Sequence, residues 1–536
     1  MPAGVDGRLS GRPAAPGTGA AGAAGAPLRV AIVGGGISGL GVAYYLAREA
    51  RQGGLCLECH LFEAERQPGG KLRTARLTWE AGRGEALVEL GAESLVSYKP
   101  RPLQLARELG LEDQLVSPAG PLGTLIFRRG RLRRLPAGLM GLVPTSLGEW
   151  VRTDLVSWPG KLRMALEWLV PPRRDGADES LACFVRRRLG QEAVEALAQP
   201  LLAGIHGGDA ERLSVLAVFP RLREQETRYG SLLRAMLAAR GAGSGAAGRA
   251  PGGSGGTSAG PGFWSLRGGL GQLAAALKRA CGPTVQVHTG CRVDELAPLG
   301  PEGGFWLRAG GRPWQADAVV LAVPAWEAAR LVAPWDPVLA RGLGAIRYAS
   351  VAVAALVYPA AAVPRQSPVW RSSGVLVAPG QDPPGLCVSA CTWFSTKWPH
   401  SVRGPWVVVR ASVGRDGQEE ALQKNDAELL QAVQEDLSRL AGLAGPAAAA
   451  RLQRWPLSLP QYEVGHRERV RALEERCGLH PGLFLAGAAW NGAGVADCLE
   501  RAEQVASRLA AFLGQQAPAR NSVSREGSPL ARSCAG

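Results

Sequence analysis

Gly34-Gly35-Gly36-Ile37-Ser38-Gly39 is the stretch of this sequence whose residue types and spacing most plainly serve chemistry. Glycine at the first, third and sixth places allows a tight turn at Gly34, close approach of backbone to a pyrophosphate at Gly36, and tight helix-on-strand packing at Gly39. The N–H groups and positive end of a helix opening here face an anion. Glu63 lies at the end of the next apolar run, where a carboxylate can accept both hydroxyls of an adenosine ribose. Together these residues predict a dinucleotide site, and at this point NAD and FAD are both open. Cys56-Leu57-Glu58-Cys59-His60 matches the pattern of covalent haem attachment. It falls in a segment that reads as a strand ending at Phe62, just before the acid, and is assigned to that strand. The six histidines stand at no zinc-binding spacing to the ten cysteines. No acid–base pair or activated nucleophile stands out, so neither a catalytic side chain nor a metal ligand is nominated.

The elements that must position this site are readable around it. Residues 28–33 form a β-branched run, a helix is expected from about Ser38 to Ala50, and a second strand runs from Cys56 to Phe62, which makes a βαβ unit. Residues 100–240 carry helical periodicity, as in 180–189 and 191–202, while 345–415 return to strand patterning. A strand at 483–486 precedes an amphipathic helix at 496–513. Residues 1–27, 241–261 and 514–536 are rich in small and polar residues and are expected to be disordered. With 536 residues the chain exceeds one core, and two or three domains are expected. The net charge of +15 invites a nucleic-acid reading, but only six of the 61 basic residues are lysines, the arginine bias that GC-rich codons produce. The charges are scattered without aromatic interleaving, so nucleic acid is not expected as a partner. Irregularly spaced cysteines and the lack of an apolar leader predict reduced thiols and a cytoplasmic protein, and no apolar run reaches the length of a membrane span.

The block Glu63-Ala64-Glu65-Arg66-Gln67-Pro68-Gly69-Gly70-Lys71 resembles the E-x-x-x-R-x-G-G-[RK] extension of FAD-dependent amine and porphyrinogen oxidases, with Gln67 at the arginine position and Arg66 one place early. Further landmarks follow in order: Glu89 to Ser94, Gln199 to Ile205, Phe263 to Leu270, Cys391 to His400, Pro460 to His466, and Gly487 to Cys498. Over residues 29–513 the chain therefore resembles the FAD-dependent porphyrinogen oxidases of the flavin amine oxidase superfamily. Within them it is most similar to the soluble Gram-positive type that oxidises coproporphyrinogen III.

The resemblance implies FAD as cofactor. It carries FAD contacts onto Gly34, Gly35, Gly36, Ile37, Ser38, Gly39, Glu63, Ala64, Gly70, Lys71, Gly91, Ala92, Glu93 and Ser94. Val293 is expected at the adenine, and Trp455, Ala493, Gly494 and Val495 at the flavin. Lys99 and Arg101 are the candidate cations for substrate propionates, Asp497 is expected to cap its helix or pair with its dipole rather than act as a catalytic acid, and Trp393 and Trp398 are divided between a macrocycle pocket and core packing. The implied fold is α/β with an α+β substrate part. Residues 28–98, 262–330 and 480–513 are expected to form a Rossmann-like FAD domain. Residues 99–110, 205–240 and 331–479 are assigned to a mixed-sheet substrate domain, and 111–204 to a helical subdomain. The implied reaction is oxygen-dependent oxidation of coproporphyrinogen III to coproporphyrin III in haem biosynthesis, with release of hydrogen peroxide. Protoporphyrinogen IX is the alternative substrate, and a lipid-binding escort protein on the same fold is the reading from another class. Hand-off of product to a ferrochelatase and weak membrane-surface contact through the Arg-rich stretches Arg128 to Arg134 and Arg186 to Arg188 complete the expectations; oligomeric state is left open.

Overall fold

The computed structural model describes residues 27–82, 84–119, 123–136, 139–140, 142–144, 147–241, 262–300, 303–364, 366–379 and 385–526. The expected disorder of 1–26, 242–261 and 527–536 lies outside the described residues. The nucleotide half is a five-stranded parallel sheet ordered Val285–Thr289, Leu57–Glu63, Leu28–Val33, Ala318–Leu321 and Leu483–Leu485. Five of the six residues of Leu28–Val33 are buried, as a central parallel strand covered on both faces requires. One face carries the helices Ile37–Gly53 and Val495–Glu526, which pack on each other. Leu40, Leu46, Leu499 and Leu509 of these helices join one core with Val30 and Ile32. The meander Val293–Pro298, Phe305–Ala309 and Arg312–Ala316 shares a second core with the opposite side of the sheet.

The second layer is a seven-stranded mixed sheet ordered Ala449–Pro460, Tyr348–Pro359, Trp406–Val413, Val388–Thr392, Gly374–Val377, Thr124–Arg128 and Arg131–Arg134. Its last two strands lie within 111–204, the span assigned to the helical subdomain, and join this sheet instead. The hairpin turns at Arg129 and Gly130, both at positive φ, and Thr124–Arg128 pairs in parallel with Gly374–Val377. Two helices of the 331–479 segment, Pro337–Gly344 and His466–Cys477, belong with the nucleotide half, because Leu339, Leu343 and Leu473 are buried against Val319 and Leu485. The last helix continues to Glu526, past the expected end at Leu513.

Burial changes the reading of two arginines in the Arg-rich stretches. Arg188 is fully buried and ion-paired with Glu167 and Glu226, while Arg128 is 2% exposed and pairs with Glu195 at 2.8 Å. Arg188 neutralises the buried Glu167 and Glu226, and Arg128 pairs with the part-exposed Glu195, whereas Arg129 and Arg186 of the same stretches are 65% and 40% exposed. Cys59 is buried within its strand, whereas Cys56 precedes it and is exposed. His60 is hydrogen-bonded to His288 at 3.0 Å and Glu58 at 3.1 Å, so the haem-like motif is sheet structure. Among the described residues no His, Cys, Asp and Glu group is arranged to hold a metal, and no helix is long and apolar enough to cross a membrane.

Candidate active site

The carboxyl ends of Leu28–Val33 and Leu57–Glu63 open onto a cavity of about 1450 Å³ that runs from this crevice to the seven-stranded sheet. Such a crevice, at the ends of parallel strands, is where open α/β sheets take their ligands. Gly34, Gly36, Ile37 and Ser38 line it. Gly35 and Gly39 stand behind the wall. The Gly35 N–H donates to Glu63 Oε2 at 2.8 Å, and a Cβ on Gly39 would lie 1.9 Å from the Gly34 carbonyl oxygen. Glu63 Oε1 accepts from the Glu65 N–H at 2.8 Å, so two backbone donors fix the carboxylate at the cavity wall.

Farther in, the wall is formed by Gly70, Lys71, Gly91, Ala92, Glu93, Ser94 and Trp455, with Val293 beside the nucleotide end. Lys71 donates to the Ser458 carbonyl, and burial pulls its pKa below the ordinary lysine range. The Trp455 indole donates to the Leu90 carbonyl at 2.7 Å, which fixes its ring against the Glu89–Glu93 turn. Ala493 and Val495 line the cavity at the start of the long final helix, whereas Gly494 does not. Ala64 also lines the cavity, while Arg66 and Gln67 are exposed outside it. These residues fit FAD: the crevice is open above Gly36, an oriented acid stands at the ribose position, and a helix N-terminus faces the far end.

Arg101 does not belong to this cavity, which corrects its assignment to the substrate. Its guanidinium is held by Glu503 at 2.9 and 3.0 Å and Glu108 at 2.7 Å, above the ring of Tyr45. Lys99 does not line the cavity either: it follows the lining residues Ser97 and Tyr98, and its ammonium is on Asp497. Asp497 thus has a cation partner in the first turn of its helix, where a carboxylate also suits the dipole. Trp393 and Trp398 are 0% and 1% exposed and belong to the core, with the Trp393 indole donating to the Val369 carbonyl at 3.0 Å.

The residues missed by sequence reasoning form a polar cluster around the Glu89–Glu93 turn. Lys397 Nζ donates to Glu93 Oε1 at 2.8 Å, and Arg410 Nη1 lies 3.5 Å from Glu93 Oε2. Arg410 also donates to the carbonyl oxygens of Glu89 at 3.0 Å and Gly91 at 2.6 Å. The signal for Arg410 in the sequence is an arginine inside the apolar run Trp406–Val413, and Lys397 lies within the Cys391 to His400 landmark. Glu89 is 1% exposed and accepts from the Leu270 N–H at 2.6 Å and the Thr74 hydroxyl at 3.1 Å. Burial pushes its carboxyl up to about 8 against the opposing pull of these donors.

A pH dependence follows. The folded state keeps a proton on Glu89 that the unfolded chain releases near 4.5, so this group's contribution is full below that pH and is lost as pH rises through about 8. Urea denaturation between pH 5 and pH 9 should show wild type losing stability relative to Glu89→Gln, at up to about 1.4 kcal/mol per pH unit. Parallel pH profiles for the two proteins would place the proton elsewhere.

Residues 37–510 match the family model of flavin containing amine oxidoreductases. A coproporphyrinogen III oxidase of Bacillus subtilis (strain 168) is 32% identical over 485 residues, covering 90% of this chain and 98% of that protein. One from Propionibacterium freudenreichii subsp. freudenreichii is 35% identical, covering 93% of each. The crystal structure of a protoporphyrinogen oxidase candidate from Exiguobacterium sp. 255-15 superposes with a TM-score of 0.77 at 28% identity, covering 91% of this chain and all of that one. Wild-type putrescine oxidase bound to putrescine shares the fold, with a TM-score of 0.59 at 17% identity, covering 91% of this chain and all of that one. With the crevice, the oriented acid and the full-length match together, the chain belongs to the flavin-containing amine oxidoreductase family and is an FAD-dependent oxidase.

Proposed function

We propose that this enzyme oxidises coproporphyrinogen III to coproporphyrin III in haem biosynthesis, with oxygen as acceptor and hydrogen peroxide as by-product. The observation that carries the reading is similarity along nearly the full length of coproporphyrinogen III oxidases, joined to a cavity that continues past the flavin-facing turn. Its inner chamber has apolar walls at Leu201, Ile205, Phe263, Val353 and Leu376, suited to a macrocycle. FAD, when bound, supplies the acceptor for hydride and the route of electrons to oxygen. Gly36 and Glu63 would hold its nucleotide end, Lys71, Trp455 and Val495 would border its ring, and the chamber walls would exclude water from the reacting carbon.

Lys99 adjoins the lining Tyr98 but stands outside the lining and is paired with Asp497, so its role near substrate propionates rests on the family resemblance alone. Exposed Trp158, Leu162 and Leu169 in the helical subdomain support weak contact with a membrane surface, and a cytoplasmic setting with delivery of product to a ferrochelatase fits the reaction. Protoporphyrinogen IX is the second reading, favoured by a chloroplastic protoporphyrinogen oxidase of Oryza sativa subsp. japonica that is 30% identical over 501 residues. The test is anaerobic bleaching of the bound flavin by each porphyrinogen. Fast bleaching by coproporphyrinogen III and slow bleaching by protoporphyrinogen IX is expected. The reverse order would move the assignment to protoporphyrinogen IX, and a colourless protein would favour the escort alternative.

A further inference from the structure

We propose that Lys397 is a specificity-determining residue that receives one carboxylate of the substrate inside the cavity. The inference rests on the porphyrinogen reading above and begins from a charge imbalance. Glu93, Lys397 and Arg410 all line the cavity, and their side chains are only 12%, 11% and 14% exposed. Two cations therefore share one carboxylate in a region where water screens poorly. The neighbouring acid, Glu89, does not correct the imbalance at neutral pH, because burial keeps it protonated up to about 8. A buried surplus charge is costly unless an opposite charge meets it.

The two cations are not equivalent. Arg410 is pinned by Nε on the Glu89 carbonyl and by Nη2 on the Gly91 carbonyl, so it holds the flavin-facing turn in shape and neutralises Glu93. Among the described residues Lys397 Nζ has one acceptor, Glu93 Oε1, for an ammonium that carries three donors. Its remaining neighbours are aromatic: Nζ stands 4.7 Å from the centre of the Phe263 ring and 5.4 Å from that of Trp398. Lys397 closes the short helix Phe394–Lys397, which follows the strand Val388–Thr392, and Ser389, Cys391 and Thr392 of that strand line the inner chamber. The ammonium thus stands where the flavin-facing turn meets the apolar chamber. An apolar ring system bearing carboxylates satisfies both surroundings, its body against Phe263 and one carboxylate on Lys397.

The experiment is a fluorescence titration of the flavin-loaded enzyme with coproporphyrin III and with its tetramethyl ester, which keeps the ring and removes the charges. Lys397→Met leaves Glu93 paired one to one with Arg410, so the turn should stay intact; unchanged melting and flavin spectrum would check this. Binding of coproporphyrin III should weaken about 10- to 100-fold, the loss of one charge-assisted contact. Binding of the ester should be unchanged, and Lys397→Arg should retain most of the affinity for the acid. Equal weakening for acid and ester would overturn the assignment. So would unchanged binding with a lowered flavin midpoint potential, which would give the surplus charge to the flavin. If wild type binds coproporphyrin III and Lys397→Met matches it, only the role of Lys397 fails. If wild type binds neither compound, the porphyrinogen reading fails, and this inference with it.

Discussion

Gly36→Ala is expected to fold as the wild type does and to purify without flavin. Gly36 has φ −69° and ψ −177°, an extended conformation that alanine adopts without strain. The nearest atom to an added Cβ is the Gly70 Cα at 4.0 Å, so the protein itself has room for the methyl group. What lies beyond that position is the cavity, where Gly36 is a wall residue and a pyrophosphate must approach the backbone. The methyl would hold the anion away from the helix N-terminus, weakening FAD by about 100-fold or more, roughly 3 kcal/mol. Gly39→Ala is the contrast. Its Cβ would meet the Gly34 carbonyl oxygen at 1.9 Å, and Gly34 is itself fixed at φ +106° with the Ala322 carbonyl 2.9 Å from where its own Cβ would be. Overpacking backbone on backbone in this way should cost about 3 kcal/mol of stability before any ligand is considered. Thermal melts of the apo proteins beside FAD titrations separate the two cases. A Gly36→Ala protein that keeps its flavin at wild-type affinity would show that the pyrophosphate does not sit over this turn.

That contrast also explains which parts of the molecule were legible in the sequence. The nucleotide turn is encoded by residues within six places of each other, and the acid that serves it ends the next strand, so local geometry and spacing suffice. The cation cluster in the cavity wall is assembled differently. Lys397 and Glu93 are 304 residues apart, and Arg410 enters the cluster because its strand pairs in the register that sets Thr392 opposite it. No local pattern specifies that register. Arg101 shows the converse error: closeness in sequence to Lys99 suggested a shared cavity. Arg101 instead begins the helix Arg101–Glu108, and its side chain meets Glu503 on the final helix. The hairpin Thr124–Arg134 was hidden for a related reason. Four residues reading Arg-Leu-Arg-Arg lack the apolar alternation of a half-buried strand, and this strand forms an edge of its sheet.

Removing the carboxylate at the centre of the cation cluster should give the other large effect. In Glu93→Ala, Lys397 and Arg410 are left facing each other in the cavity wall without an anion, and breaking a buried pair from one side costs about 3–5 kcal/mol. The loss also severs the ion pairs that join the cavity-lining Glu89–Glu93 turn to the seven-stranded sheet, so flavin affinity should fall with stability. Adding Lys397→Met should restore part of the stability, because Arg410 then stands alone on its two carbonyl acceptors. The pH dependence has a definite sign. Burial alone would raise the Glu93 carboxyl, but Lys397 and then Arg410 outweigh it and hold it below the ordinary value of 4.5. Its contribution is therefore full above pH 4.5 and disappears as the pH falls through the depressed folded value. Denaturation at pH 7 should show the widest gap between wild type and Glu93→Ala, closing progressively in acid. A gap of less than about 1 kcal/mol at pH 7, the worth of a solvent-exposed pair, would mean that water screens the cluster and that the charge surplus assigned to it is not felt.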